Sequence, residues 1–487
     1  MGKISTAHGE VVTPTLMPVI DPSDIVLKPN DMRREFGAEL VITNAYLTLR
    51  HYGEEASKRK IHGILDYDGP IMTDSGGYQI LRYGRVDVTP EEIVHYQDSI
   101  EPDIATILDI PTGANATREH AAETARVTLE RAKLATQIRL NSKVMWCGPI
   151  QGGLFTDIVA ESAKEMGKLD YQLYAIGSPV ELLNGYRYEE LVELVMAAKK
   201  NLPMQRPVHL FGAGHPVMLP LAVAMGCDLF DSAAYVLFAR DDRYITSEGT
   251  LHLNELSFLP CECPVCANNS PEKIKSEPKE ERVKLLARHN LHVTFGELRR
   301  IRQAIVEGRL WQHVQIRCRA HPRLLDAFRK LLNHSDFIER LDPVTKKSAF
   351  YYSGEESIQR PEVLRHRRRL DERYTPPPLR TLVIISSSKA KNPRPLEIES
   401  THLLKLVPPF GVVPEELEEV YPLSQHQAPK DLDADEVEAV TYALKKYLQR
   451  HGNCYEKVIL LNDEKRWENH LIKACEPIKE KLELIQL

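Results

Sequence analysis

A chain of 487 residues with 43% hydrophobic content has the size and composition of a globular protein of about two to four domains, able to bury a large core. Its formal net charge of -6 excludes a chain basic enough to bind nucleic acid by composition alone, although a local basic face can sit beneath a negative sum. No stretch approaches the ~18 uncharged apolar residues of a membrane span, and Met1 to Pro14 lacks the charged start and apolar centre of a secretory signal, so a cytoplasmic protein without a membrane anchor is expected.

In chain order, the first half repeats one pattern. Short apolar runs, ELVITNAY, PIMTDSG, DIATILDIPTG, KVMWCGPIQGG, YQLYAIGSPV, RPVHLFGAGHP and CDLFDSAAY, each end in Gly, Pro, Ser or a carboxylate. Between most of them lie helical patterns, such as Arg118 to Leu140, Asp157 to Lys168 and Tyr188 to Leu202. Thr89-Pro90-Glu91-Glu92 offers an N-cap, a proline at the first helical position and a glutamate three residues on, which predicts a helix start. Continuous apolar strands alternating with helices imply a buried parallel sheet. Seven or so such units fit a closed (β/α)8 TIM barrel, the alternative being an open doubly wound sheet.

In a barrel, catalytic groups sit where strands end, and the polar residues at these strand ends are Asp74, Asp109, Gln151, Ser178, His215 and Asp231. Any one of them could instead cap the following helix or make a turn. Several carboxylates at one rim suit attack on a sugar C1′, where one acts as nucleophile and another manages protons, so a glycoside hydrolase is a competing reading. Farther along, Cys261, Cys263 and Cys266 form CECPVC on a Pro-punctuated loop, placed for thiolates to converge on one soft cation. Cys147, Cys227, Cys318, Cys454 and Cys475 are scattered and read as buried or free thiols.

Taken in order, TDSGGYQ, QGG, YAIG, FDSAAY, CECPVC and ARHNLHV closely resemble the tRNA-guanine transglycosylases, over roughly residues 1 to 330. Gly177-Ser178-Pro179-Val180-Glu181 and LFDSAAY are similar to the archaeal, archaeosine branch rather than the bacterial one. The resemblance implies exchange of guanine at position 15 of the tRNA D-loop for 7-cyano-7-deazaguanine (preQ0) through a covalent ribosyl-aspartate. It implies Asp231 as nucleophile and Asp74 as the general acid/base, with Gly76 and Gly77 letting backbone approach the nucleotide where a Cβ would collide. Ser75 would hydrogen bond in the site or stabilise the turn. Asp109 would accept from N1–H and the exocyclic amine of guanine, Gln151 and the Gly152-Gly153 backbone would meet the opposite edge, and Tyr78 would stack on the base. The backbone of Ser178, Pro179 and Val180 would meet the cyano end, and Gly177 beside them would be a further substrate-binding residue. The family match also implies a structural zinc held by Cys261, Cys263, Cys266 and His289, not His292.

Arg299, Arg300, Arg302, Arg309, Arg317, Arg319, Arg323, Arg329 and Lys330, and then RHRRR at Arg365 to Arg369, are two locally basic stretches that could offset the cost of extruding a base from folded RNA, or simply be solvated helix faces. The expected organisation is a catalytic barrel over 1–345 with a zinc-binding subdomain at about 255–330, a basic helix and Pro-rich linker over 346–378, and a small α/β domain over 379–487. SSSK, at the end of the strand TLVIISSS, reads as a structural turn because the glycines of a P-loop are missing. Full-length archaeal members continue into a small RNA-binding PUA module, so a separate PUA-domain partner chain is expected, along with tRNA and a homodimer. A non-catalytic subunit of such an enzyme is the further alternative, against which the retained Asp74, Asp109 and Asp231 count.

Overall fold

The computed structural model describes residues 1–77, 87–139, 142–386, 401–429, 434–462 and 467–486. The chain divides into two compact units, one of Met1–Val306 with His313–Leu331 and the other of Glu307–Gln312 with Leu332–Leu487.

The first unit opens with an antiparallel hairpin, β1 (Gly2–Thr6) and β2 (Gly9–Thr13). Eight parallel strands follow: β3 (Thr15–Ile20), β4 (Val41–Asn44), β5 (Ile71–Asp74), β6 (Ile104–Thr106), β7 (Met145–Ile150), β8 (Leu173–Ile176), β9 (Val208–Leu210) and β10 (Leu229–Ser232). They pair in chain order and close into a barrel, β10 lying against β3 with Asp231 opposite Met17. Seven of these strands are the apolar runs of the sequence. The eighth, TLMPVI, is disguised by Pro18, which has no N–H to give to a ladder; it falls where pairing with β10 ends, at Ser232.

Helices cover the barrel in the βα alternation. Pro90–Ile100 begins with the reciprocal cap read from its sequence: Glu92 N–H donates to Thr89 Oγ1 at 3.1 Å and Thr89 N–H donates to Glu92 Oε2 at 2.8 Å. Arg118–Ile138 buries Ala121, Ala125, Ala132 and Ala135 in one stripe, small side chains that let it lie close to its neighbours. Inside the barrel, Met17, Ile42, Met72, Ile104, Cys147, Leu173 and Leu229 form a packed cluster that Val11 and Ile4 of the hairpin join. Each fully buried Leu, Ile or Met there contributes roughly 1.5–3 kcal/mol. The hairpin end is thus plugged, which leaves the ends of the strands at Asp74, Ile150 and Ser232 for a site.

On the plugged side, Asp103 is clamped before β6. It accepts from Ile71 N–H at 2.9 Å, His8 N–H at 3.1 Å, and the rings of His8 and His62 at 3.0 and 3.2 Å. Burial alone would raise its carboxyl, but the hydrogen bonds from His62, Ile71 and His8 hold it well below the usual carboxylate range. The two imidazoles stack at 3.7 Å, 26° from parallel, and address separate oxygens, His8 meeting Asp103 Oδ1 and His62 meeting Asp103 Oδ2.

The first unit continues with a short antiparallel pair, β11 (Arg243–Ile245) and β12 (Thr250–His252), a one-turn helix at Pro264–Ala267 and the 29-residue helix Lys279–Glu307. Three of the basic residues around that helix are engaged by the fold. Arg302 donates to the carbonyls of Val12 and Pro14, Arg299 to that of Phe36, and Arg317 to that of Ser247 while pairing with Glu297. These three arginines tie helices to neighbouring segments of the unit, which gives each a structural role.

The second unit contains a small pair, β13 (Phe350–Tyr351) with β17 (His426–Gln427), and a five-stranded sheet. In that sheet β14 (Thr381–Ile385) pairs in parallel with β15 (Thr401–Val407) and β18 (Lys457–Asn462), β18 with β19 (Leu482–Gln486), and β15 antiparallel with β16 (Gly411–Pro414). Helix Ala434–His451 buries Val440, Leu444 and Leu448 in its core. The expected basic helix is Pro361–Arg373, but RHRRR does not face solvent as a block. Arg365 is buried against Glu339 and the carbonyls of Pro343 and Asp342, His366 donates to Val412 O, and Arg367 donates to the carbonyls of Phe410 and Pro409. Burial brings the Arg367 guanidinium down to about 10. Among the described residues, no helix is long and apolar enough to cross a membrane.

Candidate functional site

The open end of the barrel surrounds a cavity of about 1190 Å³. Asp74 ends β5, Asp231 lies in β10, and Asp109, Gln151, Ser178 and His215 follow β6, β7, β8 and β9; all six line the cavity, as do Gly177, Pro179 and Val180. Strand geometry alone brings these dispersed positions together, because a closed parallel barrel delivers every strand end to one rim.

Asp74 and Asn44 are register partners at the ends of β5 and β4. Asn44 Oδ1 caps the helix Ala45–Tyr52 through Leu47 N–H at 2.9 Å while its Nδ2 donates to Asp74 Oδ2 at 3.0 Å. Burial, and then the negative charge of Asp109, push the Asp74 carboxyl up to about 7; Asp231 adds to this, and the hydrogen bonds from Gly76 and Asn44 oppose it. The two glycines behind it have a protein-internal reason. Gly76 has φ +103°, and a Cβ there would sit 2.6 Å from Tyr46 Cβ; a Cβ on Gly77 would sit 2.1 Å from Asp109 Oδ1. The room cleared at DSGG is lined by Tyr46 and by the neighbouring carboxylate, a packing requirement that the sequence reading did not foresee.

Asp109 is 5% exposed and accepts from Gln151 Nε2 at 2.6 Å. Burial raises its carboxyl to about 6, against the lowering effect of the Gln151 hydrogen bond. Gln151 Oε1 in turn accepts from Thr112 N–H at 3.1 Å, Thr112 Oγ1 at 3.2 Å and Ser178 Oγ at 3.0 Å, which fixes the orientation of the amide. Ser178 Oγ also accepts from the N–H groups of Thr112 and Gly113 at 3.1 and 3.3 Å. The Gln151 oxygen and the Ser178 hydroxyl therefore hold Asp109 and the wall in place. Ser75 and Gly152 lie behind that wall: Ser75, fully buried, donates to Ile107 O at 3.0 Å, and Gly152 N–H donates to Thr112 Oγ1 at 3.1 Å. For Ser75, of the two roles open in the sequence, this is the turn-holding one. Tyr78 lies outside the described residues.

Asp231 Oδ1 accepts from His209 Nε2 at 2.8 Å and from Gly212 N–H at 2.7 Å. His209 is wholly buried in β9 and its Nδ1 has no partner, so the ring is placed to donate from Nε2. His209 and Asn44 were missed by sequence reasoning. A polar residue inside the apolar run PVHLF was the available signal for the first; for the second, Asn44 reads equally well as a helix cap. His215 lies on the wall as a neutral ring: Val217 N–H donates to its Nδ1 at 3.3 Å, its Nε2 meets Thr250 Oγ1 at 2.9 Å, and burial and Arg243 bring it down to about 4.

The cysteine cluster forms a separate centre. One sulfur each from Cys261, Cys263 and Cys266 and one ring nitrogen of His289 lie within 4.8 Å of one another. His289 Nδ1 is 3.5 Å from Cys263 Sγ and 3.3 Å from Cys266 Sγ, close to the ~3.6 Å edge of a tetrahedron built on metal–sulfur and metal–nitrogen bonds of ~2.3 and ~2.1 Å. Its Nε2 donates to Ile245 O at 2.8 Å, leaving the Nδ1 lone pair aimed at the sulfurs, and Tyr244 stacks on the ring at 3.6 Å. These four residues could hold one tetrahedral metal ion with no position left open. His292 instead packs edge-on against Phe36 at 4.7 Å.

The family described as queuine tRNA-ribosyltransferase matches residues 1–323, and one described as a domain of unknown function matches residues 363–483. Proteins named tRNA-guanine(15) transglycosylase are similar over most of the chain. That of Methanobrevibacter smithii is 44% identical over 480 residues, 94% of this chain and 71% of its own length. That of Methanosarcina barkeri is 46% identical over 426 residues, 87% and 84% respectively, and that of Haloferax volcanii is 42% identical over 455 residues, 93% and 86%.

Proposed function

This chain belongs to the tRNA-guanine transglycosylase family of pentosyltransferases, and we propose that it exchanges the guanine at position 15 of tRNA for 7-cyano-7-deazaguanine through a covalent ribosyl-aspartate. The observation that supports this most is the presence of two differently held carboxylates in one cavity: Asp231, oriented through Oδ1 by His209 and Gly212, and Asp74, raised to about 7.

In the first half-reaction the Asp231 carboxylate attacks C1′ of the ribose. The C1′–N9 bond breaks, its electron pair leaves with guanine, and protonated Asp74 donates the proton the base needs. In the second, ionised Asp74 takes the N9 proton of the incoming base, N9 attacks C1′, and the ester to Asp231 breaks. No phosphodiester bond is touched. A group with a pKa near 7 is suited to both directions, because it is present in both forms at neutral pH. Asp109, held by Gln151, presents a carboxylate to N1–H and the exocyclic amine of guanine, which adenine cannot match. Cys261, Cys263, Cys266 and His289 would hold a structural zinc; when bound, the ion ties the loop at 261–266 to the helix at 279–307 and has no part in the exchange.

The reading is tested by incorporation of radiolabelled guanine into unmodified tRNA by the full chain, wild type against Asp231→Ala, with denaturing gels for the RNA adduct. Incorporation and adduct in wild type alone are expected. Release of guanine to water without incorporation would favour a hydrolase, and an adduct that persists in Asp231→Ala would place the nucleophile elsewhere.

A further inference from the structure

The cavity, at about 1190 Å³, exceeds the ~300–1,000 Å³ of ordinary small-molecule sites, so a purine and its ribose leave part of it unfilled. Tyr186 and His321, both outside the exchange machinery, are among the aromatic residues that line it. Tyr186 lies between the helices Val180–Asn184 and Tyr188–Lys199, and His321 immediately precedes the helix Pro322–Leu332. Tyr186 is 52% exposed and held at φ +55°, the left-handed region in which a bulky side chain is strained. Its ring lies on that of His321, with centroids 5.2 Å apart and planes 14° from parallel. Buried Tyr188 closes edge-on against both, at 6.1 and 6.4 Å.

The pair is also fastened from behind. His321 Nδ1 accepts from Arg323 N–H at 3.2 Å, and Arg323 Nη1 donates to Gly185 O at 3.1 Å, so two segments far apart in sequence are locked ring against ring. A half-exposed tyrosine fills no core, and strain maintained by such support points to a use for the exposed face.

We propose that Tyr186 and His321 form a stacking shelf for a nucleobase of the RNA adjacent to the nucleotide undergoing exchange. This rests on the base-exchange reading above. A nucleotide drawn out for chemistry leaves its neighbour unstacked, and an aromatic face returns that stacking to any base because every base has a π-face. The exposed Arg323 adds positive charge beside the shelf, where a phosphate accompanies the base.

Glycine adopts φ +55° without strain, so Tyr186→Gly removes the ring while relaxing the backbone and is not expected to impair folding. The test is equilibrium binding of unmodified tRNA to the full chain, with the KM for free guanine and the Tm measured alongside. Tyr186→Gly should raise the tRNA Kd about tenfold, within the range for one lost base–aromatic stack, with a Tm no lower than wild type and little change in guanine KM. Tyr186→Phe should bind as wild type, and His321→Ala should weaken tRNA binding in the same direction as Tyr186→Gly. Wild-type tRNA affinity in Tyr186→Gly overturns the shelf, and so does a rise in guanine KM with tRNA affinity unchanged, which would give the ring to the free base. Because binding is read without exchange, failure of the exchange reading shows separately, as absent incorporation by the wild type.

Discussion

Adding one methyl group to Gly77 should damage base recognition without touching a charge. An alanine Cβ at that position lies 2.1 Å from Asp109 Oδ1 and 3.1 Å from its Cγ. Carbon–oxygen contacts close no nearer than ~3.3 Å, so the carboxylate must retreat by about 1 Å. Its hydrogen bond from Gln151, at 2.6 Å, has little room to follow, because Gln151 Oε1 is held by Thr112 and Ser178. Loss of a hydrogen bond to a charged group costs ~1.5–3 kcal/mol, which corresponds to roughly 10- to 150-fold. Gly77→Ala should therefore raise the guanine KM at least about tenfold in a steady-state exchange assay. Gly76→Ala is the control: it is strained at φ +103° and meets Tyr46 instead of a carboxylate, so it should lower Tm with a smaller effect on KM. A wild-type guanine KM in Gly77→Ala would refute the packing of Asp109 against the DSGG turn or its role in holding the base.

His209→Phe keeps the ring volume but removes the donor to Asp231 Oδ1, leaving only Gly212 N–H; kcat should fall ~10- to 150-fold, and an unchanged single-turnover rate would show that the histidine is only packing. The Asp74 carboxyl is raised when folded, so its contribution favours the folded state below its unfolded pKa near 4 and is lost as pH rises through about 7. Asp74→Asn should thus be more stable than wild type above pH 7, by at most about 4 kcal/mol, and converge with it towards pH 4; parallel denaturation curves at both pH values would contradict this. Cys263→Ser should lose bound zinc and several degrees of Tm, measured by elemental analysis and calorimetry, whereas full zinc occupancy in the variant would remove that sulfur from the ligand set.

What could be read from the sequence was local or periodic. The Thr89-Pro90-Glu92 helix start needs only neighbours three residues apart, and the structure shows both of its hydrogen bonds. Apolar runs alternating with helical stripes imposed a parallel sheet, since such strands must be buried on both faces. From that one inference followed the convergence of Asp74, Asp109, Gln151, Ser178, His215 and Asp231 on a single cavity, because a closed barrel carries all its strand ends to the same rim. The CECPVC spacing likewise announced a cluster of sulfurs by itself.

Tertiary structure decided the rest, wherever a residue's partner lies far along the chain. His209 is a polar residue in an apolar strand until β10 brings Asp231 beside it, and Asn44 is a helix cap until register sets it against Asp74. Arginines that suggested an RNA-binding face turn inward: Arg302 meets carbonyls nearly 290 residues away in sequence, and Arg365 is buried against Glu339. Composition counts such charges but holds no information on which way they point. Direction is set by packing, and an arginine with several carbonyls within reach can satisfy its donors inside the fold as well as on a phosphate.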